Sequence, residues 1–326
     1  MEKSTEHFLA GIIDYAGLFP PAELSLEEAM AEYYAYLKSD YNWMLSRFIL
    51  PFNLLEEAVK TAGEKSPASK TLSLSITTPP SHSAQQFLET VKNVAEEILR
   101  VHENHPEKIE TNILEIKLPK EIHAENDGDL IQKLIHETVA VFSKNPLLPN
   151  SVFFEVPGFE FDIDIGNRVI QAIANQNKKT QKNYAFSGFK IRCGGVEAFQ
   201  FPPSEYLAKA ITNARTAGIP LKFTAGLHHP LRMFHASVQT KMFGFFNVFG
   251  ASMLSFAQNL SVQKILEILE DENPENFTFN DQQFSWKNLH VSLSEIQQLR
   301  NESVISFGSC SIAEPVEDLQ ELGLIE

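Results

Sequence analysis

The chain has 326 residues and a formal charge of −15, from 27 Lys and Arg against 42 Asp and Glu. That balance argues against nucleic acid and against anionic membrane as partners, because both bind through a basic face. Apolar residues at 43% and charged residues at 21% match ordinary folded domains, and the two cysteines, Cys193 and Cys310, are too few for a disulfide framework or a Cys-based zinc site.

No apolar run approaches the ~20 residues of a membrane span, and the first residues lack a basic stretch followed by an apolar core, so the expected location is cytoplasmic. Short apolar segments bounded by Pro, Gly or polar residues read as buried strands at 9–14, 44–50, 71–77, 112–118, 152–156, 188–192, 220–224 and 304–309. Between them lie helical patterns. Ser25 with Glu28 forms a capping box ahead of Met30, Tyr33, Tyr34 and Leu37. Phe87, Val91, Val94, Ile98 and Val101 share one stripe, and 130–142 and 206–217 repeat the pattern. Residues 178–182 read as a short polar loop. The first seven strand starts are spaced by 27 to 41 residues, the spacing of βα units. The expected fold is therefore α/β, a (β/α)8 TIM-barrel-like single domain over residues 1–326.

The last interval is 84 residues long and reads as an insertion before the last strand, approximately 243–300. It holds a Phe-rich stretch, helices near 262–269 and 293–300, and a hairpin near 277–286. A lid or a subunit contact are its two expected uses, the second implying a homo-oligomer. Two alternatives stay open: 243–249 as the eighth strand, and an open doubly wound sheet.

Charge inside the apolar strands points to chemistry. Positions i and i+2 of a strand share a face. Glu115 with Lys117, Lys190 with Arg192, and Lys222 with Thr224 form such pairs, while Glu155 and Arg47 stand alone. Each lies near the C-terminal end of its strand, where barrels keep their sites. Buried charges must converge on one another or on a ligand, so these residues form either a structural ion-pair layer or a binding site. Five cations against two glutamates suggest a basic pocket for a small anionic substrate. Gly194 and Gly195 would bring backbone N–H groups to the anion, and Ser309 and Ser311 would add hydroxyls after the last strand. Glu314, Pro315, Glu317 and Asp318 read as a helix start.

Leu227-His-His-Pro contributes His228 as a general acid or base and His229 as a neighbour. His235 falls on an expected helix opened by Pro230. No His-x-His or His-Glu-x-x-His spacing occurs, so no metal ligands are assigned and no cofactor is expected. Asp14 and Tyr15 would sit atop the first strand. Asn247, a polar residue on an apolar element, is a candidate to face the pocket. Both cysteines read as structural thiols, and the aromatics of 234–256 as core or a dimer face.

Lys190 in Phe189-Lys-Ile-Arg-Cys-Gly and Lys222 in Leu221-Lys-Phe-Thr-Ala-Gly lie 32 residues apart on consecutive strands. Over residues 150–227 this arrangement resembles deoxyribose-phosphate aldolase and its class I aldolase relatives. That family carries a Schiff-base lysine on barrel strand six and a second lysine on strand seven. The resemblance implies Lys190 as nucleophile or carbonyl polariser and Lys222 as the neighbour that eases its deprotonation. Arg192 departs from the family, which has a small polar residue there, and His228–His229 has no counterpart. Over nearly its full length the chain also resembles an uncharacterised bacterial protein family. The segments concerned are Ile13-Asp-Tyr-Ala-Gly-Leu-Phe-Pro-Pro, Phe189-Lys-Ile-Arg-Cys-Gly-Gly, Thr224-Ala-Gly-Leu-His-His-Pro, Gly244-Phe-Phe-Asn-Val and Ser306-Phe-Gly-Ser-Cys-Ser.

The expected function is an enzyme acting on a small anionic carbonyl or sugar-acid compound, lyase/aldolase- or isomerase-like. Lys190 and Lys222 would work on the carbonyl, Glu155 or His228 would move protons, and Arg192 would hold the anionic group. One alternative is a metal-dependent hydrolase or enolase-like barrel with a divalent ion on Glu115, Glu155 and His228. The other is a non-catalytic binding or scaffold protein.

Overall fold

Eight strands pair side by side in parallel and close on themselves: β1 (Ile13–Tyr15), β2 (Leu45–Pro51), β3 (Leu72–Thr77), β4 (Ile109–Lys117), β5 (Ser151–Glu155), β6 (Phe186–Arg192), β7 (Leu221–Thr224) and β8 (Val304–Ser309). The order around the ring is the order along the chain, so the fold is a (β/α)8 TIM barrel and the open sheet is ruled out. The structure, a computed structural model, describes residues 1–65, 71–106, 108–124, 128–180 and 186–326.

The helices follow their sequence patterns. Leu26–Tyr36 opens on the Ser25–Glu28 capping box, and Ala84–Asn104 buries the stripe from Phe87 to Val101. Three expectations need correction. The first strand is short, because Lys3–Leu9 is a helix whose Phe8 packs against Phe246, Phe279 and Phe284. The run 243–249 is not a strand but the start of the helix Phe245–Gln258. It is apolar nearly all round because it is buried nearly all round, and such a run has no period to separate strand from helix. Lys178 and Lys179 belong to the last turn of Ile163–Lys179, while 181 and 182 of the expected loop lie outside the described residues.

Between β7 and β8 come a ribbon (Met233–His235 with Thr240–Met242), the helices Phe245–Gln258 and Val262–Leu269, and a meander of Phe277–Phe279, Gln283–Trp286 and Leu289–Ser292. His235 is thus in a ribbon, not a helix. The helix Leu293–Glu302 then leads into β8 through a second capping box, Ser292 with Glu295. No described residue of 233–302 lines the cavity at the barrel mouth, and the aromatic side chains of this segment pack on the barrel. Phe246, Phe279 and Phe284 wrap Phe8, and Phe249 packs on Phe223 and Phe307. Among the described residues, no helix is long and apolar enough to cross a membrane.

Inside the ring, alternation places a polar layer on an apolar floor. Phe153 on β5 stands opposite Gly188 on β6, where a Cβ would fall 2.3 Å from its ring. The missing side chain lets Phe153 occupy the space on Gly188. One inward step further along lie Glu155 and Lys190, side by side in register.

Candidate active site

A line of alternating charge crosses the barrel interior. Asp14 on β1 accepts the Arg47 backbone N–H at 3.0 Å, and the Arg47 guanidinium lies 3.5 Å from the same oxygen. The other Asp14 oxygen takes the Ser306 hydroxyl at 2.6 Å and the Lys222 ammonium. Lys222 also reaches Glu115 at 3.2 Å. Glu115 accepts the Ser75 hydroxyl at 2.6 Å and pairs with Lys190 at 2.8 Å. Lys190 pairs in turn with Glu155 at 3.0 Å. Glu155 also holds Arg192 at 3.3 Å and Lys117 at 3.4 Å. Five cations thus meet three carboxylates, Asp14 being the third.

Burial opposes charge on every member of this line, and the neighbours decide the outcome. For Asp14, burial pushes the pKa up but Lys222 and Arg47 hold it below the usual carboxylate range. Glu115 is pushed up by burial and held low by Lys190 and Lys222. Glu155 is pushed up by burial and driven far down by Lys190, Lys117 and Arg192. Burial lowers Lys190, yet Glu115 and Glu155 raise it above an ordinary lysine. Lys117 goes the other way: Glu155 raises it, but burial beside Arg192 and Lys190 brings it below.

These directions set a stability window. The depressed carboxylates stabilise the fold fully above about pH 5, and that contribution is lost as pH falls through their folded values. Raised Lys190 stabilises below about pH 10, and its share is lost as pH rises through its folded value. Urea unfolding across pH should therefore show a plateau that falls away at both ends, with a shallower acid limb in Glu155→Gln. Stability that climbs below pH 4 would contradict the ionised network.

Above the line opens a cavity of about 410 Å³. Of the residues singled out from sequence, Glu115, Lys117, Glu155, Lys190, Arg192, Gly195, Thr224 and His228 line it. Lys222 and Asp14 do not: both side chains are 0% exposed and lie beneath. Arg47 continues the network below them, one inward position before the cavity-lining Ile49. Tyr15 points outward, among Tyr33, Tyr36 and Phe48.

Four further expectations change. Gly194 serves packing: a Cβ there would fall 2.9 Å from the Cα of Gly226, which itself has φ +69°, so the β6 and β7 loops touch backbone to backbone. Asn247 faces no pocket; its oxygen accepts the Arg232 N–H at 2.8 Å, and its amide donates to the Ile268 and Asp271 carbonyls at 2.8 and 2.7 Å. Ser309 donates to the Ser311 carbonyl at 2.6 Å and closes its own turn. His229 stands 2.7 Å from Asp318 and stacks on His235, away from the cavity lining. Cys193 is buried, which pushes its thiol up, and Cys310 lines the cavity with a thiol also raised by burial.

His228 Nδ1 lies 3.1 Å from Glu314 on the C-terminal helix Ala313–Glu321. Contact with His228, against partial burial, lowers the Glu314 pKa, so that carboxylate only accepts. The uncharged ring then carries its proton on Nδ1 and leaves Nε2 as the basic atom. Glu314 and Asp318 sit four residues apart on one helix face, one for each histidine. The sequence reading missed both partners, and missed Ser75, Thr77, Ser306 and Phe159. Polar alternation in Leu72-Ser-Leu-Ser-Ile-Thr was the available signal for the first two.

The proposed metal donors do not converge. Glu115 and Glu155 share the Lys190 ammonium, while His228 turns to Glu314. Among the described residues, no group of three or more His, Cys, Asp or Glu side chains is placed to hold a metal ion.

The molecule is thus a TIM barrel whose mouth cavity rests on a buried, charge-alternating layer. No family model and no curated protein matches the chain. Among solved structures, a fungal β-1,4-galactanase superposes with a TM-score of 0.42 at 12% identity, over 73% of this chain and 78% of that one.

Proposed function

We propose that the protein is an enzyme that binds a small anionic carbonyl compound at the barrel mouth and converts it through an enol or enolate, as an isomerase or a lyase. One observation carries the reading: the buried line of charge ends on two cations, Lys117 and Arg192, that share the single carboxylate of Glu155 and both line the cavity. An anionic ligand there gains from both and offsets their excess charge.

Lys190 suits the carbonyl oxygen. Its ammonium is held between two carboxylates, which fixes it as a hydrogen-bond donor. A Schiff base needs the free amine, and this environment works against it. His228, oriented by Glu314, takes the proton from the carbon beside the carbonyl, and the electron pair moves to the oxygen facing Lys190. Protonation of that oxygen gives the enol isomer. Where the carbon that lost its proton bears a hydroxyl, that hydroxyl gives up its proton to become the new carbonyl and the former carbonyl carbon takes a proton, which gives the isomeric carbonyl compound. If the proton is taken instead from a β-hydroxyl, its oxygen forms a new carbonyl, the carbon–carbon bond breaks, and the pair from that bond passes to the enolate facing Lys190. An aldehyde or ketone and, after protonation, the enolate fragment are then the two lyase products.

The test is a panel of 2-oxo acids and phosphorylated aldehydes, each beside its neutral analogue, in D2O. The anionic members should raise the melting temperature and exchange the hydrogen next to the carbonyl. Arg192→Gln should weaken binding, and His228→Asn should stop exchange while binding persists. Equal shifts from anions and neutral analogues would refute the reading, and a borohydride-stable adduct on Lys190 would return the Schiff base.

A further inference from the structure

Two phenylalanines stand in water beside the cationic end of the cavity. Phe199, in the turn Ala198–Gln200 after β6, is 61% exposed, and Phe159, in the loop after β5, is 37% exposed. Their rings meet edge to face with centroids 5.6 Å apart. Val196, 42% exposed, lines the cavity with Phe159. The Arg192 guanidinium lies 5.4 Å from the centre of the Phe159 ring while its Nε reaches Glu155. One side chain therefore joins the anion-binding end to an apolar shelf on the rim. Leaving such a cluster in water is unfavourable, and contiguous apolar surface beside a cavity marks a binding surface.

We infer that this shelf receives an apolar body of the substrate, so that the ligand is an anionic carbonyl compound with an aryl or branched alkyl substituent, of which an aryl 2-oxo acid is the simplest case. The inference rests on Lys117 and Arg192 as the anion-binding pair. The anion sits between those cations, the carbonyl meets Lys190, and the substituent runs outward past Arg192 onto Phe159 and Phe199. A polyhydroxylated sugar acid would leave the shelf wet and its own hydroxyls without partners there.

Calorimetric titration with pyruvate and with phenylpyruvate separates the possibilities. Phenylpyruvate should bind about tenfold more tightly, the gain expected from covering one ring against an apolar shelf. In Phe199→Ala, a substitution at an exposed position, the ratio of the two Kd values should fall toward 1, and Phe199→Leu should keep part of it. A ratio near 1 in the unaltered protein overturns the apolar shelf and leaves the anion site standing. Binding of neither acid overturns the anion site and this inference with it. A Phe199→Ala variant that keeps the ratio but loses self-association in sedimentation assigns the shelf to a second copy of the chain, and overturns the inference too.

Discussion

Lys222→Met is expected to lower the free energy of unfolding by about 3–5 kcal/mol, the cost of taking one partner from a buried ion network. Lys222 is wholly buried between Asp14 and Glu115, whose side chains are 0% and 1% exposed. Asp14 would keep Arg47 and Ser306, and Glu115 would keep Lys190 and Ser75, so the loss is partial and not a collapse. Methionine nearly matches lysine in length, which keeps a cavity from adding to the cost. Adding Asp14→Asn to Lys222→Met should recover part of the stability, because it removes the charge left stranded. Urea unfolding with an unchanged m-value is the measurement. A cost below about 1 kcal/mol would mean that the barrel interior hydrates, and the dry network would have to be abandoned.

Lys190→Met is expected to reduce turnover by about 10²–10³-fold, the usual effect of losing one donor aimed at a developing oxyanion. It also separates Glu115 from Glu155 and leaves both with one ammonium partner fewer, so stability falls as well. Two readouts distinguish the catalytic effect from the structural one. At a temperature where the variant is fully folded, kcat should fall far more than KM rises, because Lys117 and Arg192 still hold the anion. Lys190→Arg, which keeps the charge but not the point geometry, should restore stability and not rate. A variant that folds, binds and turns over normally would remove Lys190 from the chemistry.

Much of this was legible in the chain. The strand set was readable because parallel barrel strands are short, buried and bounded by turn residues, and seven of eight fell close to their expected positions. The charge pairs were readable because a pleated strand has a side-chain period of two: Glu115 with Lys117, and Lys190 with Arg192, line the same cavity. Asn247 was misread because an apolar run buried on all sides has no period to declare it a helix. The partners of His228 and His229 were illegible because Glu314 and Asp318 lie 86 and 89 residues away, on a helix that meets the β7 loop only when the ring closes.

Depth is where the sequence stops. Taken alone, it determined the alternating βα order, the inward direction of the strand charges and the excess of cations among them. Only the tertiary structure decided that Asp14 and Lys222 lie wholly buried beneath the cavity, with a partly exposed Arg47 on their far side, while Lys117, Lys190 and Arg192 meet the cavity. The physical reason is stagger. Closing eight tilted strands slides each one along its neighbour, and that slide, absent from any local pattern, sets the height at which each inward charge comes to rest.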